Sequence, residues 1–354
     1  MLIYWCLFII IIIIQFIPTK TNKGQRNKLL FSFFLMFIYA AIRDNFGRDY
    51  EAYQYIFEDV HKYVNFWGAQ PTIEKGYILL NRIMPSHRVL LVFLSAFTCF
   101  TYYWLFKTYV PPKYYWLAFL LMSISGNFML FFQLSGLRNA IAINIMALSL
   151  PLIENRKLFP YLLLTVIAFF FHQSVLFFMP LAYFLATPYK LKTRNIVLWS
   201  IFILIFLLIS ALSLINFITP FINLYFQKYA SYLDIASEQI YQRSLLMYSF
   251  VLIIFFLSFI ILKNEKISES ETMILKLSLL FIFSIILGVL NFRMSQYFAP
   301  YFVIGAAIVM KEVKSKELKY GYLISVILFL IYSFFIVYMG NPDFPYKVYH
   351  TIFE

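Results

Sequence analysis

Residues 2–17 read LIYWCLFIIIIIIQFI, a run without a single charged side chain. A helix needs about 20 mainly apolar residues to cross a bilayer, within a range of roughly 17 to 25. No basic region precedes the run and no small-residue cleavage site follows it. Lys20, Lys23 and Lys28 come directly after it, so it reads as a retained first span and not as a cleaved leader. Outward from this stretch, similar segments recur at 29–42, 88–106, 114–132, 136–153, 158–171, 174–186, 195–214, 244–262, 273–290, 295–310 and 320–338. About twelve spans are expected, or ten to eleven where short segments are tilted, re-entrant or extended by flanking aromatics. The fold class is therefore all-α: a polytopic integral membrane protein forming one membrane domain over 1–354.

Composition agrees. Of 354 residues, 62% are hydrophobic, 21% aromatic and only 13% charged, with a mean hydropathy of +0.79. Soluble domains of this size are not so apolar. The net charge of +13 is spread over short loops, where orientation in the membrane accounts for it, so no nucleic-acid partner is expected. Cys6 and Cys99 both sit in apolar runs and read as packing residues without a disulfide.

The charge in those loops is divided by residue type. The connections 18–28, 107–113, 154–157, 187–194, 263–272 and 311–319 hold 17 Lys plus Arg, mostly lysine. The positive-inside rule places them in the cytoplasm and both termini outside. The alternate connections hold Arg43, Arg48, Arg82, Arg88, Arg138, Arg243 and Arg293, with few lysines. Orientation does not call for arginine outside. Its planar fork of donors suits phosphate, which is a reason for it to be there.

Two outer connections, 43–87 and 215–243, are long. In the first, Tyr50, Tyr53, Phe57 and Val60 are spaced for one helix face, and Ile73, Tyr77, Leu80 and Met84 repeat the spacing. Phe221, Tyr225, Tyr229 and Tyr232 do so in the second. Helices of this kind lie in the interface as aromatic anchors, or wall a groove over the outer leaflet. All sixteen Asp and Glu fall in loops or at helix ends. A proton-driven transporter usually keeps a carboxylate near the midplane, so transport through the bilayer centre is disfavoured. No Gly-rich phosphate loop, His/Cys metal spacing or nucleophile elbow is present.

Polar groups recur at outer helix ends. The first loop opens Arg43-Asp44-Asn45-Phe46-Gly47-Arg48-Asp49-Tyr50, with Gly47 suited to a turn. Arg138 begins a segment in Ser135-Gly136-Leu137-Arg138, His172 ends one in Phe171-His172-Gln173-Ser174, and Arg293 lies between two spans. Each alone fits a snorkelling or capping side chain. Together they put polar chemistry at one depth on one side.

These motifs resemble the EpsG family, related to Wzy-type polymerases of bacterial surface polysaccharides. The shared features are the Arg43…Gly47-x-Asp49-Tyr50…Tyr53…Phe57 run, Ser135-Gly136-Leu137-Arg138, His172-Gln173-Ser174 and Arg293…Tyr297-Phe298. They run in order through nearly the whole chain. Arg48 departs from the family pattern, which has a small or hydroxyl residue there, and reads as an extra phosphate ligand or a substrate-specific contact. The resemblance implies a GT-C-like glycosyltransferase architecture in the bacterial inner membrane, with its active site facing the periplasm. Such an enzyme moves a growing glycan from undecaprenyl pyrophosphate to another lipid-linked repeat unit, and the resemblance also implies a chain-length regulator as a protein partner.

The residue chemistry fits that expectation. The leaving diphosphate gains negative charge as the glycosidic bond breaks, and bidentate arginines stabilise it. Arg138 and Arg293 are expected on the diphosphate, with Arg43 as a third contact. His172 or Asp49 takes the proton of the acceptor hydroxyl, and His172 is preferred because Asp49 has Arg43 and Arg48 to pair with. Tyr50 and Tyr53 stack on sugars or serve as interfacial anchors. No metal or other cofactor is expected. Arg82, Arg88 and Arg243 read as headgroup contacts. The competing readings are a lipid-linked oligosaccharide flippase, a ligase-like glycosyltransferase and a membrane O-acyltransferase.

Overall fold

The computed structural model describes residues 2–47, 49–63, 73–125, 135–189, 245–262, 266–286, 291–334 and 349–352. Among these residues are fourteen α-helices, one turn of 3-10 helix and one pair of two-residue strands. Two compact units divide the chain, Met1–Thr187 with Ser333–Glu354, and Pro188–Tyr332.

The first unit runs α1 (Leu2–Phe16), α2 (Asn22–Ala41), β1 (Arg43–Asp44), α3 (Tyr50–Lys62), α4 (Lys75–Ile83), α5 (His87–Tyr109), α6 (Tyr115–Ile124), α7 (Leu137–Leu148), α8 (Leu150–Glu154), α9 (Leu158–Phe169), α10 (Val175–Leu185) and β2 (His350–Thr351). Local chemistry sets many of these boundaries. Thr21 and Ser86 accept the Gly24 and Val89 amides as N-caps of α2 and α5. Lys28 Nζ donates to the carbonyls of Gln15 and Ile17, both at 2.8 Å, closing the end of α1. The expected span 136–153 breaks into α7 and α8 because Pro151 has no amide to continue the ladder and its ring crowds the preceding turn.

Hydrophobicity is arranged inside-out for a soluble protein. Ile10 and Phe16 of α1, Phe31 and Phe34 of α2, Phe100 of α5 and Phe184 of α10 are exposed. Ser32, Ser95, Asn144 and Thr165 are buried between the helices. Helices solvated by lipid keep large apolar side chains outward and small or polar ones in contact, so the chain fits an all-α membrane protein. Cys6 faces outward while Cys99 is buried.

Among the described residues, α5 is the one helix long and apolar enough to cross a membrane by itself. The shorter helices include α9 and α10, of 12 and 11 residues. They pack against each other as a hairpin. At about 1.5 Å per residue each arm covers less than 20 Å of a ~30 Å hydrocarbon core. The expected span 195–214 and the second outer connection, 215–243 with Phe221, Tyr225, Tyr229 and Tyr232, lie outside the described residues.

The first outer connection folds as its spacing predicts. Tyr50, Tyr53, Phe57 and Val60 are the buried residues of α3. The rings of α3 join Tyr77 of α4, Leu90, Leu91 and Leu94 of α5, and Leu137 and Ile141 of α7 in one apolar cluster. Ile73, Leu80 and Met84 close its margin. The two amphipathic helices thus cover the ends of α5 and α7.

The second unit holds α11 (Leu245–Leu262), α12 (Glu269–Ile286), α13 (Asn291–Glu312) and α14 (Lys316–Phe334), whose last two residues belong to the first unit. α12 and α13 pack along most of their length. Gly305 of α13 permits this, since a Cβ there would lie 2.7 Å from both Cβ and Oγ of Ser278. Gly305→Leu is expected to cost roughly 1–3 kcal/mol of stability by overpacking. Thermal unfolding in detergent measures it, with Gly321→Leu as the control, because nothing lies within 4 Å of a Cβ at Gly321.

Candidate functional site

The loop after α2 is a tight turn. Asn45 and Gly47 adopt positive φ, 42° and 119°. At 119° only glycine is unstrained, which makes Gly47 the turn residue its sequence suggests. Arg43 precedes the turn and points inward. Its side chain is 1% exposed, and Nη1 donates to the Ala40 carbonyl at 2.8 Å and to Ser95 Oγ at 3.4 Å. Burial, with the charge of Arg88 adding to it, draws the guanidinium down to about 10. Arg88 in turn donates to the carbonyls of Arg43 and Ala41, so the two arginines tie the end of α2 to the start of α5. Arg43 is therefore a buried helix-end cap and not a surface contact, and Arg88 is spent on backbone and not on headgroups. Arg82, which is exposed, reaches the Tyr63 carbonyl at 3.4 Å. Arg48 and Arg243 lie outside the described residues.

Asp49 occupies the N-cap position of α3 without a side-chain cap, and its carbonyl accepts the Tyr53 amide at 3.0 Å. Tyr50 and Tyr53 are each 6% exposed. The Tyr50 ring meets His87 edge-on at 5.4 Å and its hydroxyl donates to Asp44 at 2.8 Å. The Tyr53 ring meets Tyr77 at 5.5 Å. Both rings belong to the core under α3, which withdraws their faces from sugar stacking.

Arg138, His172 and a third residue come together. Arg138 sits in the first turn of α7, where the helix dipole disfavours a cation unless an anion is near. The anion is Glu74, the N-cap residue of α4. Glu74 Oε2 lies 2.5 Å from Arg138 Nη1, and Oε1 lies 3.6 Å from His172 Nδ1. The Glu74 side chain is only 4% exposed, that of His172 11% and that of Arg138 27%. Burial alone would raise the carboxyl's proton affinity. The adjacent His172 ring and the Arg138 charge outweigh it and hold Glu74 at about 2, so it is an anion at any physiological pH.

Backbone contacts fix this arrangement. His172 lies in the turn between α9 and α10, its amide donating to the Ala168 carbonyl at 2.9 Å. The Gly76 amide, in the first turn of α4, donates to the Phe170 carbonyl at 2.8 Å. A Cβ at Gly76 would stand 2.7 Å from that oxygen. Glycine thus lets α4 close onto the turn and carries Glu74 to His172.

Of the expected site residues, the structure unites Arg138 and His172, sets the Tyr53 side chain against Arg138, and buries Arg43 and Tyr50 in the packing nearby. Arg293 lies in the first turn of α13 in the second unit, where no side-chain position is described. Glu74 and Gly76 were not legible as site residues from motif alone. The available signal was helical spacing, since Glu74 stands one turn before Tyr77 and Ile78, on the face they bury with Asn81.

No curated protein and no solved structure matches the chain significantly. The model of the EpsG family does, over residues 26–350. Helices with apolar outer faces, an arginine and a histidine gathered at helix ends, and a family match over nearly the full length agree that the chain belongs to the EpsG family, a Wzy-like, polysaccharide polymerase-type family of membrane proteins.

Proposed function

We propose that the protein is a membrane glycosyltransferase that polymerises lipid-linked repeat units of a surface polysaccharide at the outer face of the cytoplasmic membrane. The observation that carries this reading is the meeting of Arg138, Glu74 and His172 in one place. Arg138, beside the amide-rich start of α7, receives the diphosphate of an undecaprenyl-pyrophosphate donor. The bond between the anomeric carbon and the diphosphate oxygen breaks, and the electron pair leaves with the diphosphate. The acceptor hydroxyl oxygen bonds to that carbon, and its proton passes to His172. The lipid diphosphate departs, and His172 returns the proton to water. Arginine charge does the work that a divalent ion does in other phosphate chemistry. Arg293 carries the same chemistry on the second unit and is a separate target for substitution. Asp49 is the alternative base, and His172 is favoured because Glu74 adjoins it.

Reconstitution in liposomes with a synthetic undecaprenyl-pyrophosphate-linked repeat unit tests the reading. The expected outcome is a ladder of lengthening glycans with release of undecaprenyl pyrophosphate. Movement of a labelled unit across the bilayer without chain growth overturns it in favour of a flippase.

A further inference from the structure

We propose that Glu74 is the positioning residue of this site, fixing the tautomer and orientation of His172 while holding Arg138 in place. The inference rests on the reading of His172 as the base. Its starting point is how the carboxylate divides its two oxygens. Oε2 goes to Arg138 and Oε1 faces Nδ1 of His172. An anion opposite Nδ1 favours the tautomer with its proton on that nitrogen, which makes Nε2, on the other side of the ring, the proton acceptor. The same anion stabilises the imidazolium once the acceptor's proton has arrived.

Charge accounting explains why one carboxylate serves both partners. The base reading starts from a neutral His172, beside which Arg138 and Glu74 cancel. When His172 takes the proton, the cluster gains a positive charge just as the diphosphate gains a negative one. A buried carboxylate held by two groups would be an odd expense as a mere structural tie, since buried ion pairs are often no better than apolar packing.

Three separate elements are needed to build the device. α4 brings Glu74, α7 brings Arg138, and the α9–α10 turn brings His172. The Gly76 amide bonded to the Phe170 carbonyl at 2.8 Å pins the first of these to the third. Glu74 faces His172 directly, and Arg138 shares the same carboxylate. Tyr53 of α3 lies against Arg138, and Asp49 lies near Tyr53.

The test is a pH–rate profile of polymerisation for Glu74→Gln, Glu74→Asp and His172→Ala. Glu74→Gln keeps shape and an acceptor but removes the charge. It is expected to lose on the order of 10- to 100-fold in kcat/KM. Its acid limb moves to lower pH by about one unit, because the imidazolium loses its counter-charge and still faces Arg138. Glu74→Asp keeps the charge one methylene farther away, so it is expected to be slower than the parent with an acid limb near the parental position. Glu74→Gln with parental rate and limb overturns the inference. So does a lost rate with an unmoved limb, which marks a structural role only. Should Glu74→Gln fail to fold, a Glu74→Asp limb displaced to lower pH also overturns it. A fully active His172→Ala overturns the base reading itself, an outcome distinct from all of these.

Discussion

Cells carrying Arg138→Ala are expected to make no long-chain polymer, while single repeat units still reach the outer face. Arg138 is the expected diphosphate arginine that shares Glu74 with the candidate base, and just over a quarter of its side chain is exposed. Removing one donor that stabilises transition-state charge costs on the order of 100-fold or more in rate. Removing this one also leaves Glu74 as a buried anion without its cation, which costs about 3–5 kcal/mol in a buried pair. The double change Arg138→Ala with Glu74→Gln separates the two effects, since it relieves the stranded charge and restores stability without restoring polymer. Arg138→Lys keeps the charge for Glu74 but not the planar fork. Full activity in the lysine variant sinks the bidentate argument. Glycan length on gels and the leaflet distribution of lipid-linked units provide the readouts, and units stranded in the inner leaflet would favour transport.

The second large effect is expected at Gly76, a residue that touches no substrate in this reading. A Cβ there would meet the Phe170 oxygen at 2.7 Å, its Cβ at 2.9 Å and its carbonyl carbon at 3.0 Å. Two of the three are backbone atoms, which cannot rotate away. Gly76→Val therefore drives the start of α4 off the α9–α10 turn, costing roughly 1–3 kcal/mol by overpacking. Glu74 moves with it, so polymerisation is expected to fall further than the loss of stability explains. Gly76→Ala is the milder form. Thermal unfolding and polymer yield, measured on the same preparations, check the claim. Parental stability and yield in the alanine variant would remove Gly76 from the account.

What could be read before any fold was known depended on range. The α3 stripe was legible because Tyr50, Tyr53, Phe57 and Val60 report a face through spacing along one helix. Arg138 and His172 stood out because charge and imidazole are rare at the ends of apolar runs. The inward turn of Arg43 was not legible, because its anchor on Ser95 lies 52 positions away. Glu74 escaped for a different reason. A search for apolar periodicity registers hydrophobic positions and passes over an acid that occupies the same face one turn earlier. The break at Pro151 was visible in the sequence, but a hydropathy window averages over a single proline.

Consider finally the short pairing of Arg43 and Asp44 with Thr351 and His350. Tyr349 adds to it, stacking on Tyr39 with ring centres 4.5 Å apart and bonding the Tyr39 carbonyl across 310 positions of sequence. During synthesis, the segment after α2 leaves the ribosome long before its partner exists. The edge of β1 and the face of Tyr39 must wait uncovered while the remaining helices are inserted. The first unit is thus completed only when residues 349–352 return to it. A nascent chain halted before that point carries every residue of the Arg138–Glu74–His172 cluster yet lacks the clasp over the neighbouring turn.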